Sequence, residues 1–524
     1  MNIYKIAALA IFVFAITIVA GCGGGSEIGA PQDEKLYQDI YTLLTDTSSQ
    51  YKRLKEEKST EDEARAALVE WLSAQALVKD AGLSEDGYTV WYNTTDGISM
   101  NIITYTDSYP MYDLSPKAVL SHDTLSPKAL KYSSGVDSQS QFLFMFVPFF
   151  WEQTKACIEE GGDNEACSDV DNFPYTDLTG MKDLKKYYAD PQTKQPLSVQ
   201  SYIDKDATVE SMESILTSAL LGAHIFIQTH GGIAKRDGKD FGFLLTSEGV
   251  AYDQTFLNRV QDLKAGKFYI STYADKHYYA ITPKFITDFF KGLQISTGDF
   301  HVFVLACKSF NESMINAFMT SGARSYIGYT GLASHQFGYD SLISIYSNLM
   351  KGMSVSDAVE SALPSKDPLN LLTFVRAESA SPDEAYFNRI FLNIGEAEYE
   401  TPAVQNISVM EDAIGGILTT KPAEGEWVGN AIGAIAITLP ALQEGEYDIT
   451  ATTAGVVVED NTSGMQWVAN KECRESNPLC SCSGTVTIEK VTDRYIKGSF
   501  DVNAADSGNV TTTQSITGTF RAAR

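Results

Sequence analysis

Positive charge is scarce in this sequence, which has 40 Lys and Arg residues against 67 Asp and Glu residues, a formal net charge of −27. A surface this acidic repels phosphate groups and argues against nucleic acid as a partner. The 39 glycines and 16 prolines follow no collagen-like period. The hydrophobic fraction of 44% is ordinary for a globular protein and excludes wholesale disorder. A chain of 524 residues is long enough for about three domains.

Long apolar runs are missing from most of the sequence, and the exception extends from Ile6 to Ala20, just after the positive charge of Lys5. A membrane-spanning helix needs ~20 apolar residues, and this run is shorter. A short apolar run preceded by a positive charge is typical of a secretory signal. We therefore expect residues 1–21 to be a signal peptide and the mature protein to be exported.

The apolar run ends in Val19-Ala20-Gly21-Cys22, small residues immediately before a cysteine. This pattern resembles the lipobox of bacterial lipoproteins. The resemblance implies cleavage before Cys22, acylation of that cysteine and a flexible tether over residues 22–33. It predicts a protein of the bacterial cell envelope, anchored in the membrane by its lipid and facing the periplasm or the exterior. A plain signal peptide with an incidental cysteine is the alternative.

Cysteine is also scarce, with seven residues in the chain. Two groups have members close enough in sequence to pair, as is common in exported proteins, and these disulfide candidates are Cys157, Cys167, Cys473, Cys480 and Cys482. The second group has three members, so we expect it to hold one disulfide and one odd thiol. Cys307 lies far from all of them in the chain, which makes it a candidate reactive thiol. A buried, inert cysteine is the alternative.

The N-terminal part of the mature chain predicts a small α+β unit over residues 34–107, followed by a linker over residues 108–139. Apolar residues recur at helical spacing from 34 to 83, and Gly82 suits the end of a helix. Residues 88–106 alternate around a turn, a pattern typical of a β-hairpin. No motif in this unit indicates a chemical function.

The central region, residues 140–395, predicts an α/β domain. Near-continuous apolar strands separated by helical patterns are typical of a mostly parallel sheet flanked by helices. The four apolar runs are Phe142–Phe149, Ile225–Thr229, Val302–Ala306 and Tyr326–Tyr329. Residues 396–524 lack helical periodicity and predict a C-terminal antiparallel β domain, a β-sandwich or barrel. Active sites of parallel sheets lie at the carboxyl ends of their strands, which directs attention to those ends.

Two of the predicted strands end in residues suited to catalysis. The first ends at His230-Gly231-Gly232, where the glycines allow a sharp turn and leave a backbone N–H beside the imidazole. The second ends at Cys307, and a helical pattern begins at Asn311 and closes at Gly322. A thiol just before a helix N-terminus favours its thiolate form, and a nearby imidazolium favours that form further.

His230-Gly231 and Ala306-Cys307 each follow an apolar strand, and the histidine precedes the cysteine in the chain. This arrangement resembles the caspase–hemoglobinase fold of the cysteine peptidase clan that includes caspases, gingipains, clostripain, legumain and the CHAT proteins. Residues 322–331 resemble the strand that lines the substrate cleft in the gingipain and CHAT branches. The resemblance covers residues 140–395, and it implies a caspase–hemoglobinase-like catalytic domain.

Two features depart from the caspase pattern. Lys308-Ser309 follow the cysteine where caspases have Arg or Gly, and the spacer between His230 and Cys307 exceeds the ~50 residues typical of caspases. The spacer contains the aromatic-rich stretch Phe268–Tyr279, which predicts an extra hairpin. A preference for Asp at the cleavage site is therefore not implied.

Together these patterns predict a cysteine endopeptidase that acts on protein or peptide substrates through a Cys307–His230 dyad. Cys307 is the predicted nucleophile, which forms a thioester acyl-enzyme, and His230 is the predicted general acid and base. The backbone N–H groups of Gly231 and Cys307 are the predicted oxyanion donors. No cofactor and no metal are expected, because no two histidines have the i, i+4 spacing of a zinc-binding helix.

The remaining histidines and one aspartate are weaker candidates. His224 and His301 lie at predicted strand starts, at the opposite edge of the sheet, and are expected to be structural. His122 lies in the linker, and His277 and His335 lie in predicted loops that could line a cleft. An acidic pocket residue selects Arg or Lys in the resembled clan, and Asp340 is a candidate for that role, with a solvated surface residue as the alternative.

Two other functions stay open on the sequence. The large share of the chain outside the central domain is compatible with a catalytically silent binding or adhesion lipoprotein on the same fold. A thiol amidase acting on cell-wall peptides would use the same cysteine and histidine.

Overall fold

The computed structural model describes residues 31–85, 87–104, 142–149, 199–218, 223–293, 300–350, 353–368, 370–380, 389–400, 408–409, 413–420, 431–460, 465–471, 482–491, 495–509 and 512–523. The predicted signal peptide, with Cys22, and the linker over 108–139 lie outside these residues. No helix within the described ranges is long and apolar enough to cross a membrane.

Eight helices lie in the described ranges, and local capping explains where several of them begin. The Thr60 hydroxyl accepts the Glu63 N–H at 3.2 Å, and the Glu63 carboxylate accepts the Ser59 N–H at 3.1 Å, so two otherwise unpaired donors are satisfied at the start of the second helix. The helices are α1 (Pro31–Glu57), α2 (Glu61–Ser73), α3 (Val209–Ser218), α4 (Gln254–Ala265), α5 (Pro283–Gly292), α6 (Glu312–Thr320), α7 (His335–Met350) and α8 (Val355–Glu360).

The strands of the described residues fall into three sheets. The N-terminal and central strands are β1 (Val78–Leu83), β2 (Thr89–Thr94), β3 (Ser99–Ile103), β4 (Phe142–Val147), β5 (Val199–Ile203), β6 (Ala223–Gln228), β7 (Gly231–Arg236), β8 (Lys239–Gly249), β9 (Phe268–Tyr273), β10 (Lys276–Ile281), β11 (Phe300–Leu305), β12 (Ala323–Tyr329) and β13 (Val375–Ser379). The C-terminal strands are β14 (Arg389–Ile394), β15 (Ala397–Glu400), β16 (Ser408–Val409), β17 (Ala413–Thr420), β18 (Ala431–Thr438), β19 (Gly445–Asp448), β20 (Gly455–Asp460), β21 (Met465–Asn470), β22 (Ser483–Val491), β23 (Tyr495–Asp506) and β24 (Thr513–Ala523).

The three sheets differ in strand direction. The mixed sheet has the order β1-β2-β3-β9-β10-β8-β7 and is antiparallel except between β3 and β9. The central sheet has the order β13-β12-β11-β6-β4-β5 and is parallel except at its edge strand β13. The C-terminal sheet contains β14 to β24 in antiparallel pairings, and β24 pairs with both β14 and β23. The predicted mostly parallel central sheet and antiparallel C-terminal region are therefore confirmed.

The four apolar runs of the central region form β4, β6, β11 and β12, neighbouring strands of the central sheet. Their side chains are buried because the sheet is covered on both faces, which explains why these strands do not alternate. The aromatic-rich stretch Phe268–Tyr279 forms the predicted hairpin, β9 and β10, and this hairpin belongs to the mixed sheet.

The N-terminal unit shares both a sheet and a hydrophobic core with the central region. Leu44 and Leu68 of the first two helices lie in the same buried cluster as Ile225 and Val302 of the central sheet. Strands β1 to β3 continue through β9 into the mixed sheet. A separate cluster fills the C-terminal sheet. The predicted unit over 34–107 thus packs directly on the region that contains the candidate site.

The helical pattern predicted to extend to residue 83 is wrong beyond Ser73, since residues 78–83 form β1. Gly82 does not end a helix. It pairs with Trp91 across β1 and β2, and a Cβ at Gly82 would lie 2.6 Å from a ring carbon of that tryptophan. The glycine is needed there because the indole ring covers the strand.

Candidate active site

His230 and Cys307 follow neighbouring strands of the central sheet at matched positions. The last paired residues of β6 and β11 are Gln228 and Leu305, and the Thr229 N–H donates to the Leu305 carbonyl at 3.1 Å. His230 and Cys307 each come two residues after that pair. Since neighbouring strands lie about 4.8 Å apart, the two residues leave the sheet side by side at its carboxyl edge. Both are half-buried.

Gly231 lets the backbones of the histidine and cysteine segments approach each other. A Cβ on this residue would lie 3.0 Å from the carbonyl oxygens of both Cys307 and Phe243, and 3.2 Å from the Ala306 Cβ. These separations are tighter than ordinary van der Waals contact. A side chain at this position would push the two segments apart, so the sequence needs glycine here for close approach.

The N–H of Gly231 is turned away from strand β8. Gly231 lies opposite Leu244 in the pairing of β7 with β8, and the Leu245 N–H donates to the His230 carbonyl at 3.0 Å. This bond marks Gly231 and Leu244 as a pair that does not exchange hydrogen bonds. The predicted oxyanion donor therefore lies on the side of β7 that β8 does not occupy.

The backbone after Cys307 makes a turn through a left-handed residue. Lys308 has a φ of +57°, a region that side chains other than those of Asn, Asp and His seldom adopt. Its N–H donates to the Gly331 carbonyl at 2.8 Å, and the Phe310 N–H donates to the Tyr329 carbonyl at 2.9 Å. The turn is thereby attached to the end of β12 and to the residues that follow it, the segment expected from the sequence to line the cleft.

The side chains of Ser309 and Asn311 stabilise the same turn through hydrogen bonds to the backbone. The buried Ser309 hydroxyl donates to the Val304 carbonyl at 3.0 Å and accepts the Tyr329 N–H at 2.9 Å. Asn311 caps α6, and its side-chain oxygen accepts the Met314 N–H at 3.0 Å. Cys307 therefore lies just before a capped helix N-terminus, as predicted. No sequence pattern indicated the role of Ser309, because an isolated serine is common at a helix start.

Two aromatic rings pack on the His230 imidazole. The Tyr273 ring centroid lies 3.9 Å from that of His230, and the Phe149 centroid lies 4.8 Å from it. Tyr273 ends β9, the first strand of the predicted aromatic-rich hairpin. The aromatic composition of that stretch signalled the hairpin, but not its contact with the histidine.

A pocket of about 620 Å³ opens at the same carboxyl edge, where β5 ends. Its lining residues are Ile203, Asp204, Lys205, Asp206, Ser247, Lys276 and Tyr278. The Tyr278 ring packs on Phe149 at 5.2 Å, and Phe149 also contacts His230. The Phe149 ring thus lies between Tyr278, which lines the pocket, and His230.

The pair His224 and His301 lies at the opposite edge of the central sheet. The two residues are register partners at the starts of β6 and β11, both are buried, and their ring centroids lie 5.3 Å apart. His301 Nδ1 lies 2.8 Å from the Ser325 Oγ. Burial, with the neighbouring His224 and Arg324, holds the pKa of His301 well below its ordinary value of 6.5. Their position at the strand starts agrees with the expected structural role.

The other weak candidates lie in regular structure or outside the described residues. His277 lies in β10 rather than in a loop, 2.9 Å from the Thr272 Oγ1, and burial lowers its pKa. His335 is the first residue of α7, and the half-buried Asp340 lies within that helix, so neither belongs to the predicted loop. His122 lies outside the described part of the chain.

Two of the cysteine candidates lie within the described residues, and the other disulfide candidates do not. Cys482 is buried, and its free thiol donates to the Asn470 carbonyl at 3.2 Å. The sequence predicted one such odd thiol among the three cysteines of the C-terminal group. Cys307 likewise takes no part in a disulfide. The other disulfide candidates lie outside the described residues and are Cys157, Cys167, Cys473 and Cys480.

Comparison of the chain with protein-family models found no match, and a search of curated proteins found none either. Among the residues that the structure describes, no group of three or more His, Cys, Asp or Glu side chains could hold a metal ion. The site is therefore interpreted from its own geometry.

Proposed function

We propose that this protein is a cysteine endopeptidase in which Cys307 is the nucleophile and His230 the general acid and base. The observation that carries the proposal is the matched position of the two residues, each two residues beyond the last pair of two adjacent parallel strands. They are remote in the chain, yet they share the edge at which α/β sheets bind their ligands. Both side chains are only half-buried, so a substrate can reach them.

The chemistry follows from the residue types. The Cys307 thiolate attacks the carbonyl carbon of the scissile peptide bond, and the C–N bond breaks as the His230 imidazolium gives its proton to the leaving amine. The product is a thioester on Cys307. Water then attacks the thioester carbon while His230 accepts a proton, which releases the carboxylic acid and restores the thiolate–imidazolium pair.

The backbone around the dyad supports this reaction. Gly231 and Cys307 would donate their N–H groups to the oxyanion that forms on the substrate carbonyl, an interaction worth ~10²–10³ in rate. The Gly231 N–H faces away from β8, and the segments of Gly231 and Cys307 are in close contact. The first residue of α6 follows Cys307 by five positions, and the positive end of the helix dipole would favour the thiolate.

In this proposal residues 140–395 form the catalytic domain, of caspase–hemoglobinase type, and the protein is held on the bacterial cell envelope by a lipid on Cys22. The support is the mostly parallel central sheet together with the resemblance of the two strand ends and of the N-terminal run. A peptidase anchored in this way acts on proteins or peptides outside the cytoplasm.

The test uses the purified full-length protein with an unstructured protein substrate and with an irreversible peptidyl acyloxymethyl ketone. The parent is expected to cleave the substrate and to bind the probe covalently at Cys307. Cys307→Ala should lose both properties, and His230→Ala should lower cleavage by about 10²–10⁴-fold. Cys482→Ala is the matched control, since it removes a thiol from the C-terminal sheet and should leave both properties unchanged.

Two outcomes would overturn the proposal. One is a Cys307→Ala variant that cleaves as fast as the parent, which would remove the cysteine from the reaction. The other is a parent protein that cleaves only cell-wall peptides and no protein, which would favour an amidase.

A further inference from the structure

The His230 imidazole is packed against two aromatic rings. The Tyr273 ring lies at an interplanar angle of 32° with its centroid 3.9 Å away, close to a stack, and the Phe149 ring lies on the imidazole at 57° and 4.8 Å. Phe149 and Tyr273 also contact each other at 5.8 Å. Two rings in contact with the imidazole and with each other restrict its rotation, so packing sets the directions of its two nitrogens.

Tyr273 reaches His230 because of the turn that ends its strand. Tyr273 pairs with Lys276, and the two residues between them, Ala274 and Asp275, have φ values of +46° and +60°. Two central residues with positive φ define a tight two-residue hairpin whose twist matches that of its strands. The tyrosine is thus held at the end of a rigid hairpin.

The N-terminal strands hold this hairpin in position. Strand β3 pairs in parallel with β9, with Asn101 opposite Ser271. The buried Ser271 hydroxyl donates to the Asn101 side-chain oxygen at 2.6 Å, and the Tyr269 hydroxyl donates to the Met100 carbonyl at 2.7 Å. Buried hydrogen bonds of this kind resist displacement, because breaking them leaves polar groups without partners. A chain of contacts therefore connects the N-terminal unit to the histidine.

We propose that Tyr273 is a positioning residue that keeps the His230 ring aligned toward Cys307, and that the N-terminal strands are part of the functional site because they hold Tyr273. This inference rests on the proposed function. It predicts that the N-terminal unit is needed for activity, since its loss would release the hairpin from its partner strand.

The first test compares Tyr273→Leu, Tyr273→Phe and Tyr279→Leu in the purified full-length protein. Tyr279 is the matched control, because it is equally buried in the same hairpin but packs on the other face, against Phe268 and Arg259. The readouts are the rate of iodoacetamide alkylation of Cys307 against pH, measured by peptide mass spectrometry, and the proton shifts of His230 in protein with isotope-labelled histidine. The chain has six histidines, and His230→Ala assigns the signal.

Stacking on Tyr273 should shift the His230 ring protons upfield in the parent. Tyr273→Leu should abolish that shift and lower the alkylation rate at about pH 6 by about tenfold, because a misaligned imidazole no longer supports the thiolate. Tyr273→Phe keeps the ring and should preserve both readouts. Tyr279→Leu should lower the thermal midpoint but leave both readouts as in the parent.

The second test addresses the N-terminal strands. Asn101→Ala removes the partner of Ser271 and should reduce the upfield shift of His230 in part. Thr94→Ala is its control, since Thr94 ends β2 and its hydroxyl donates to the Ile98 carbonyl within the N-terminal unit at 3.1 Å instead of to β9. An Asn101→Ala variant with the His230 signal of the parent would overturn this half of the proposal.

The alkylation profiles separate failure of this inference from failure of the proposed function. If His230→Ala changes the profile and Tyr273→Leu does not, the dyad stands and the positioning role of Tyr273 is wrong. If His230→Ala leaves the profile unchanged, the two residues are not coupled and both proposals are wrong. An equal effect of Tyr279→Leu and Tyr273→Leu would also overturn the positioning role, because it would show a general loss of stability.

Discussion

Cys307 and Gly231 are in contact through their backbones, since a Cβ on Gly231 would lie 3.0 Å from the Cys307 carbonyl oxygen. The glycine follows His230 directly, so this contact couples the segment that carries the histidine to the segment that carries the cysteine. The relative position of the two side chains is therefore set by main-chain packing at the sheet edge, and changes in that packing should alter activity before they unfold the protein.

Gly231→Ala is expected to lower kcat/KM by about 10–100-fold, because the added methyl group pushes the two segments apart and small misplacements of reacting groups are costly. Steady-state kinetics on a peptide substrate measures the effect. Gly249→Ala is the control, because its new Cβ would meet only ordinary contact at 3.9 Å. Equal kinetics in the Gly231→Ala variant and the parent would contradict the role assigned to this contact.

Lys308 adopts a left-handed backbone conformation, which costs free energy in residues other than glycine. The stability of variants at this position should therefore depend on their backbone preference and not on their charge. Lys308→Val should destabilise the protein by about 1–2 kcal/mol, because a β-branched residue resists positive φ. Lys308→Gly should be neutral or stabilising, since glycine adopts this conformation readily. Urea unfolding measures both variants, and a Val variant as stable as the Gly variant would contradict the account.

Ser309→Ala should destabilise the protein by about 1–3 kcal/mol, because it leaves the Val304 carbonyl and the Tyr329 N–H without their buried partner. The free energy of unfolding from urea titration gives the measurement. Ser73→Ala is the comparison, since its hydroxyl is exposed and bonds only to the Val69 carbonyl of its own helix. We expect that control to change stability little, and a similar loss in both variants would count against the structural role of Ser309.

His301 should make the protein less stable in acid. Burial, together with His224 and Arg324, lowers the pKa of His301 in the folded state, whereas the unfolded chain has the ordinary value of 6.5. The unfolded state therefore binds the extra proton as the pH falls below 6.5, and the stabilisation present above that pH is lost toward the folded pKa. The loss approaches about 1.4 kcal/mol per pH unit.

The measurement is the urea midpoint of the parent and of His301→Gln across this acidic range. Glutamine stays neutral, so the slope of stability against pH should be smaller in the variant by the contribution of one proton. The same slope in both proteins would show that His301 does not titrate differently on folding.

Much of the fold could be predicted from local patterns. The apolar runs at Ile225–Thr229 and Val302–Ala306 predicted buried parallel strands because a strand covered on both faces has no polar side to alternate. Their ends predicted that His230 and Cys307 lie at one edge, and the start of α6 was marked by Asn311. The helical pattern predicted through residue 83 was wrong beyond Ser73. Gly82 is required by the ring of Trp91, which lies on the next strand and is not part of the local pattern.

The contacts around the candidate site could not be predicted in the same way, because their partners are far apart in the chain. Tyr273 meets His230, and Ser309 meets Tyr329, through pairings that no single segment specifies. No motif in the sequence indicated a chemical function for the N-terminal unit, whereas the pairing of Asn101 with Ser271 connects it to the hairpin.

What the sequence determined by itself is the kind of residue at each strand end and the burial of the strands before them, since side-chain type and periodicity are local properties. The tertiary structure decided which strands are neighbours, how closely Gly231 approaches Cys307 and which rings pack on His230. Those distances depend on hydrogen bonds and packing between distant segments, and only the folded chain brings such segments together.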